Sequence, residues 1–241
     1  MPRSRPVTVV LPTEIAAHGG LAYSLWLPEP GTPVRGGVVI LHGAGSCKES
    51  HHDFARLVLA SGFAAIAFDQ RGHGESGGAM DAHVLDDVAS MADLLRARMP
   101  DREAPVVLRG SSMGGYLAIL AAPVADAAAV VAICPASAAG LGRGLRTGAF
   151  EFGADAPALQ SFFEQHELGE AVPALEIPIL LLHAEGDERV PVEHSRELAE
   201  RMRSPQSRLI TVPGGHHRSV QHDPELQAIS LRFIERAVAT G

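Results

Sequence analysis

The sequence predicts an α/β fold, a mostly parallel sheet with helices on both faces and a short inserted lid. Three observations lead there. Short runs that are apolar throughout alternate with longer amphipathic ones, the pattern of strands buried on both faces and the helices that cover them. Hydrophobic residues make up 46% and charged residues 20% of the chain, enough to bury a full-sized core and too apolar for disorder. The length of 241 residues fits one large domain, 1–241, better than two small ones.

Val7–Leu11 and Leu21–Leu27 flank His18-Gly19-Gly20 and are expected to form a hairpin. Gly37–Leu41 is a continuous apolar run ending at His42-Gly43, and Phe54–Ser61 comes next with helical spacing. Ala64–Phe68 is the next strand, ending at Asp69. Val84–Met99 keeps Val84, Leu85, Val88, Met91, Leu94 and Leu95 at helical spacing and stops at Pro100. Val106–Leu108 is a strand and Tyr116–Ala122 lies in a helix. Ala128–Ile133, Ile179–Leu182 and Leu209–Val212 complete the strands. Val192–Met202, with Pro191 in its first turn, and Glu225–Val238, capped by Asp223 and opened by Pro224, complete the helices. The stretch between Pro135 and Ile177 is glycine-rich and too long for an ordinary connection, with a helical patch near Leu159–His166. It is expected to be a lid inserted at about 136–176.

Charge and composition narrow the function. A net charge of −8 excludes a basic nucleic-acid footprint and would be repelled by an anionic membrane. Lys48 is the only lysine, so Schiff-base chemistry would have to run through it. Cys47 and Cys134 cannot build a disulfide framework, no apolar run has signal-peptide or membrane-spanning length, and a soluble cytoplasmic protein is expected.

The chemistry concentrates in Val106-Val107-Leu108-Arg109-Gly110-Ser111-Ser112-Met113-Gly114-Gly115. Gly-x-Ser-x-Gly here comes after a buried strand and precedes a helix. A sharp strand-to-helix turn lifts the serine hydroxyl off the sheet, and the helix start supplies free N–H groups beside it. A second match, Gly74-Glu75-Ser76-Gly77-Gly78, has no helix opening on its serine, so Ser112 is the expected nucleophile and Ser76 is not. Gly72-His73-Gly74-Glu75-Ser76-Gly77 also fits a dinucleotide pattern, but with no helix behind it the segment reads as a tight turn pinned by Asp69 and Arg71.

A nucleophilic serine needs a base and an acid. Glu185, Asp187 and Glu188 come after the apolar strand Ile179–Leu182, and the Gly before Asp187 and the Val-Pro after it favour Asp187. His216 and His217 come after Leu209–Val212 and Pro213-Gly214-Gly215. In a parallel sheet all these loops open on one edge. The fourth element is His42-Gly43-Ala44-Gly45. A tetrahedral oxyanion needs two N–H donors, and Met113 and Ala44 are expected to supply them, with His42 bracing the loop. His51-His52 is a weak metal pair, since neighbouring residues on a helix face apart.

At these residues the chain resembles the α/β-hydrolase superfamily over essentially its whole length. The likeness rests on His42-Gly43-Ala44-Gly45, Asp69 through Ser76, Gly110-Ser111-Ser112-Met113-Gly114, Gly186-Asp187 and Pro213-Gly214-Gly215-His216-His217. It is strongest to the small-lid esterase, thioesterase and serine-aminopeptidase-like members. The resemblance implies an α/β-hydrolase fold and a serine hydrolase that cleaves a small-molecule carboxylic ester or thioester through an acyl-enzyme, with no metal or organic cofactor. The family's Pro-Gly-x-x-His pattern implies His217 rather than His216 as base. Serine where other members carry aspartate speaks against haloalkane dehalogenase and epoxide hydrolase activity. Some members place their acid at the end of the strand that here ends at Ile133; this chain has Cys134 there and no acid, which strengthens Asp187. The alternatives are an aminopeptidase or amidase, with Glu151, Asp155 and Glu164 forming a negative pocket, and a ligand receptor that keeps the triad but turns over slowly. Leu141, Leu145, Phe150, Phe152, Leu159, Phe162 and Phe163 are expected to supply several apolar contacts to an acyl chain.

Overall fold

A computed structural model describes residues 9–239. Eight strands form one sheet: β1 (Glu14–His18), β2 (Leu21–Trp26), β3 (Gly37–Leu41), β4 (Ala64–Phe68), β5 (Val106–Ser111), β6 (Ala127–Ile133), β7 (Ile179–Ala184) and β8 (Arg208–Val212). Their spatial order is β1-β2-β4-β3-β5-β6-β7-β8. From β4 onward across the sheet the pairings are parallel, while β2 pairs antiparallel with both β1 and β4.

The apolar runs predict this arrangement because the inner strands, β2 to β7, bury both faces. In β3, Val39 and Leu41 join the core on one side while Val38 and Ile40 join the core on the other. Helices α1 (His52–Ala60) and α9 (Pro224–Ala239) cover the second side, through Phe54, Val58, Leu226 and Ile234. Helices α2 (Val84–Arg98) and α3 (Met113–Ala121) cover the first, through Val88, Met91, Tyr116 and Leu117.

The hairpin is real, but its first strand is Glu14–His18 and not Val7–Leu11. Gly19 and Gly20 both have positive φ, 58° and 83°, which makes a two-residue turn and fixes the register at His18 opposite Leu21. The residues that pair are therefore those directly before the turn, although they are less apolar than the run upstream. Val9, Val10 and Leu11 are exposed and outside any strand; Val7 lies outside the described residues.

Between β6 and β7 the inserted segment forms α4 (Ala138–Arg146), α5 (Ala156–Gln165) and α6 (Leu168–Ala171). Helix α4 escapes sequence reading because three of its nine residues are glycine; Ser137 caps it by accepting from Gly140 N–H at 3.1 Å. The segment is fastened back to the loop after β4: Gly153 N–H donates to the Gly72 carbonyl at 3.0 Å and Met80 N–H to the Gly153 carbonyl at 2.8 Å. Helix α7 (Val192–Ala199) comes after β7, and the short α8 (Ser219–His222) after β8.

Candidate active site

Ser112 stands between β5 and α3 with φ 55° and ψ −118°, a strained backbone for a residue with a side chain. The turn exists because its neighbours lack side chains. A Cβ on Gly110 would lie 2.0 Å from the Gly114 carbonyl oxygen, and one on Gly114 would lie 2.4 Å from that of Leu41. Ser112 N–H donates to the Ile133 carbonyl at 2.8 Å, which locks the turn against the end of β6. Met113 N–H, in the first turn of α3, has no carbonyl partner four residues back within the helix.

The loops that carry Asp187 and His217 meet above β7 and β8. Gly186 packs so closely on the next loop that a Cβ there would be 2.5 Å from the Gly215 carbonyl oxygen, and Gly186 N–H donates to the Gly214 carbonyl at 2.8 Å. This contact brings the side chains together: Asp187 Oδ2 accepts from His217 Nδ1 at 2.7 Å. Asp187 Oδ1 accepts from the N–H groups of Arg189 at 2.8 Å and Val190 at 2.9 Å. Burial works to raise the Asp187 pKa, but hydrogen bonds from His183, His217 and these two amides outweigh it and hold the carboxyl far below its usual range.

The alternatives are engaged elsewhere. Glu185 accepts from Arg196 at 3.2 Å and Thr211 at 3.1 Å, and Glu188 accepts the backbone N–H of His217 at 3.1 Å. His216 is exposed, its N–H donating to Ser219 Oγ at 3.0 Å, whereas His217 is buried to 8% exposure. Neighbouring histidines thus point to different surroundings, as expected of an extended loop.

The loop after β3 runs alongside. Gly43 lies so near the serine that a Cβ would sit 3.2 Å from Ser112 Cβ, and Ala44, Ser112 and His217 line the same cleft. His42 braces this loop: its Nδ1 donates to the Gly43 carbonyl at 2.8 Å, and its Nε2 accepts Gln70 N–H at 3.0 Å. Burial pushes its pKa down to about 4, so it is neutral at pH 7.

The second serine motif is a strap. Ser76 Oγ accepts Ala22 N–H at 2.8 Å and donates to the Asp69 carbonyl at 2.5 Å. Lys48 is buried, its Nζ within 2.9 Å of Asp69 and Glu49 and 2.7 Å of Glu75. Burial pulls its pKa down, but these carboxylates outweigh that and hold it above the ordinary lysine range, which removes it as a nucleophile. His51 and His52 do face apart, one stacked toward His222 and the other edge-on to Trp26.

The cleft has a volume of about 1060 Å³. Of the apolar insertion residues, Leu141 and Phe150 line it; Leu159, Phe162 and Phe163 are buried in the core instead, the last two edge-on to Tyr116. Of the three acids expected to form a negative pocket, only Glu151 lines it; Asp155 caps α5 and Glu164 accepts from Gln160. Two residues that sequence reading misses support the site. His183 donates through Nε2 toward Asp187 Oδ2 at 3.3 Å and the Val190 carbonyl at 2.9 Å, and Gln221 Oε1 accepts from Ser111 Oγ at 2.9 Å. The first carries a signal: a polar residue near the end of an apolar strand, four positions before Asp187.

This sheet order, with a serine at a strand-to-helix turn and an Asp-His pair on later loops, defines an α/β-hydrolase. The chain belongs to the family described as serine aminopeptidase, S33, which matches residues 32–154, and it is a serine hydrolase. A second family, described as TAP-like protein, matches residues 161–235. A monoacylglycerol lipase of Mycolicibacterium smegmatis is 29% identical, with 89% of this chain and 92% of that protein covered. Among solved structures, a soluble variant of monoglyceride lipase from Saccharomyces cerevisiae superposes with a TM-score of 0.75 at 16% identity, covering 99% of this chain and 98% of that one. Est1E of Butyrivibrio proteoclasticus with bound ferulic acid superposes with a TM-score of 0.74 at 22% identity, covering 91% of this chain and 96% of that one. Among the described residues no helix is long and apolar enough to cross a membrane.

Proposed function

We propose that the protein hydrolyses small carboxylic esters, monoacylglycerols being the first class to test, through a Ser112–His217–Asp187 triad. The observation that carries this reading is the 2.7 Å contact of Asp187 Oδ2 with His217 Nδ1 in a cleft that His217 shares with Ser112. With Nδ1 donating to Asp187, Nε2 is left as the acceptor for the serine proton. Ser112 Oγ attacks the acyl carbon as His217 takes its proton, and the resulting imidazolium is stabilised by Asp187. The N–H groups of Met113 and Ala44 hold the oxyanion. His217 returns the proton to the departing alcohol, and water, activated by the same histidine, releases the acid and regenerates Ser112.

The relatives that are monoacylglycerol lipases support an ester over an amide. The lid lends the cleft two large apolar side chains, Leu141 and Phe150, beside the small Ala136 and Ala149, which favours a short acyl chain. A panel of nitrophenyl esters of increasing length, monoacylglycerols and an aminoacyl anilide tests this. Ester turnover peaking at short chains is expected; turnover confined to the anilide would replace the reading with a peptidase, and a single slow acylation with a receptor.

A further inference from the structure

One buried cluster holds two residues that touch no reacting atom in this chemistry and meet it only through Asp187. Cys134 comes after β6 with φ 43° and is 1% exposed; His183, near the end of β7, is fully buried. With Asp187 they bring a sulfur, an imidazole nitrogen and a carboxylate oxygen within 4.8 Å of one another. Thiolate, imidazole and carboxylate form the donor set of Zn²⁺ and its softer congener Cd²⁺. A tetrahedral ion with bonds of about 2.0–2.3 Å holds its donors roughly 3.3–3.7 Å apart. His183 Nε2 and Asp187 Oδ2 are already 3.3 Å apart. The remaining pairs need to close by at most about an ångström.

We propose that Cys134, His183 and Asp187 bind a thiophilic divalent cation of the Zn²⁺ class, and that occupancy switches the hydrolase off. The inhibitory half rests on Asp187 being the triad acid; the binding half does not. As the metal–sulfur bond forms, the Cys134 thiol gives its proton to water. The His183 proton passes from Nε2 to Nδ1 so that Nε2 can ligate. Ser195 Oγ, 2.7 Å from Nδ1, then accepts where it had donated, and serves as the outer partner that orients a metal-bound imidazole. The two anionic ligands neutralise the ion inside the protein, and the neighbouring Glu188 carboxylate adds to the negative potential there. Asp187 Oδ2 is the same oxygen that holds His217 Nδ1. A cation bound to it competes for that oxygen and opposes the positive charge that His217 must acquire during attack.

The test is a titration of the whole protein with Cd²⁺, read by the ultraviolet thiolate-to-metal charge-transfer band and, in parallel, by ester turnover. Expected are one ion per chain, a band that survives Cys47→Ala but is lost in Cys134→Ser, and turnover that falls with occupancy and returns with a chelator. Cys134→Ser, which keeps the size and hydrogen bonding of the side chain, should need at least about tenfold more Cd²⁺ for half-inhibition relative to its own uninhibited rate. His183→Gln should weaken the band likewise. A band that persists in Cys134→Ser, or one that tracks Cys47, overturns the site. A Cys134-dependent band with undiminished turnover keeps the site and overturns its inhibitory role. In that case Asp187→Asn separates the causes: an active variant shows that Asp187 is not the acid, and a dead one that the ion leaves the triad intact.

Discussion

Two segments of this chain carry Gly-x-Ser-x-Gly, and they put the same residues to opposite uses. At Ser112 the serine itself takes the positive φ, the glycines two positions either side let strand, turn and helix close on one another, and the residue faces the cleft. At Ser76 the positive φ values fall on Gly74 and Gly78, the serine keeps an ordinary backbone, and its hydroxyl is tied on both sides, to Ala22 and Asp69. The motif supplies the flexibility, and the next element of the chain decides whether a hydroxyl is presented or consumed. A helix start offers unpaired N–H groups to a developing anion, and a second tight turn offers none.

Ser112→Ala should lower ester kcat by several orders of magnitude with a thermal midpoint close to the parent's, since the lost hydroxyl makes no structural contact. An active Ser112→Ala would leave the elbow without its proposed role. Next come the acid and base. His217→Ala should cost nearly as much, and Asp187→Asn about ten-thousandfold, because the amide no longer selects the right imidazole tautomer. His216→Ala, whose ring is exposed, should lose about tenfold or less. If His216→Ala is the dead variant, the base is misassigned by one residue.

The two loops are joined by His42, which donates to Gly43 beside Ser112 and accepts from Gln70 at the root of the Ser76 loop. Its pKa lies near 4 against an ordinary 6.5, the result of burial, so the folded state disfavours its protonation. Below 6.5 the unfolded chain binds the extra proton and the folded one does not, so this stability is present above 6.5 and is lost as pH falls toward 4. The loss amounts to about 3 kcal/mol for a shift of this size. Urea unfolding at pH 7 and at pH 4 should show it, and His42→Gln should flatten the slope. An unchanged slope in that variant would place the acid sensitivity elsewhere, with buried His51 the next group to substitute.

Much of this is legible from residues alone because the signals are local. An apolar run such as Gly37–Leu41 has only one way to be buried on both faces, and strand-turn-helix around Ser112 is written in ten consecutive residues. The hidden features depend on distant partners or on turn geometry. Hydropathy misplaces the first strand because the two glycines of its turn outweigh it in setting register. Helix α4 is invisible through its glycines, and the insertion phenylalanines read as substrate contacts although Phe162 and Phe163 pack on Tyr116, far upstream in the chain. His183 looks like no more than the end of a strand until folding places its ring against the Asp187 carboxylate.

Ser76 Oγ accepts the Ala22 N–H, and Ala22 sits in β2 at 7% exposure. Ser76→Ala takes that acceptor away and removes a donor from the Asp69 carbonyl, a loss of about 1–3 kcal/mol. Turnover responds differently. Asp69 holds Lys48 through both backbone N–H, at 2.7 Å, and Nζ, and Lys48 lies four residues beyond Ala44. Those bonds go to the carboxylate, which the Ser76 hydroxyl does not touch, so the loop that carries Ala44 keeps its anchor. Ser76→Ala should therefore unfold at lower urea while its kcat stays within about threefold of the parent, inside the range of a surface-loop change. Equal urea midpoints would mean that water replaces the hydroxyl at both ends. A kcat collapse matching that of Ser112→Ala would mean that the strap, and not only the elbow, sets the geometry of the reacting groups.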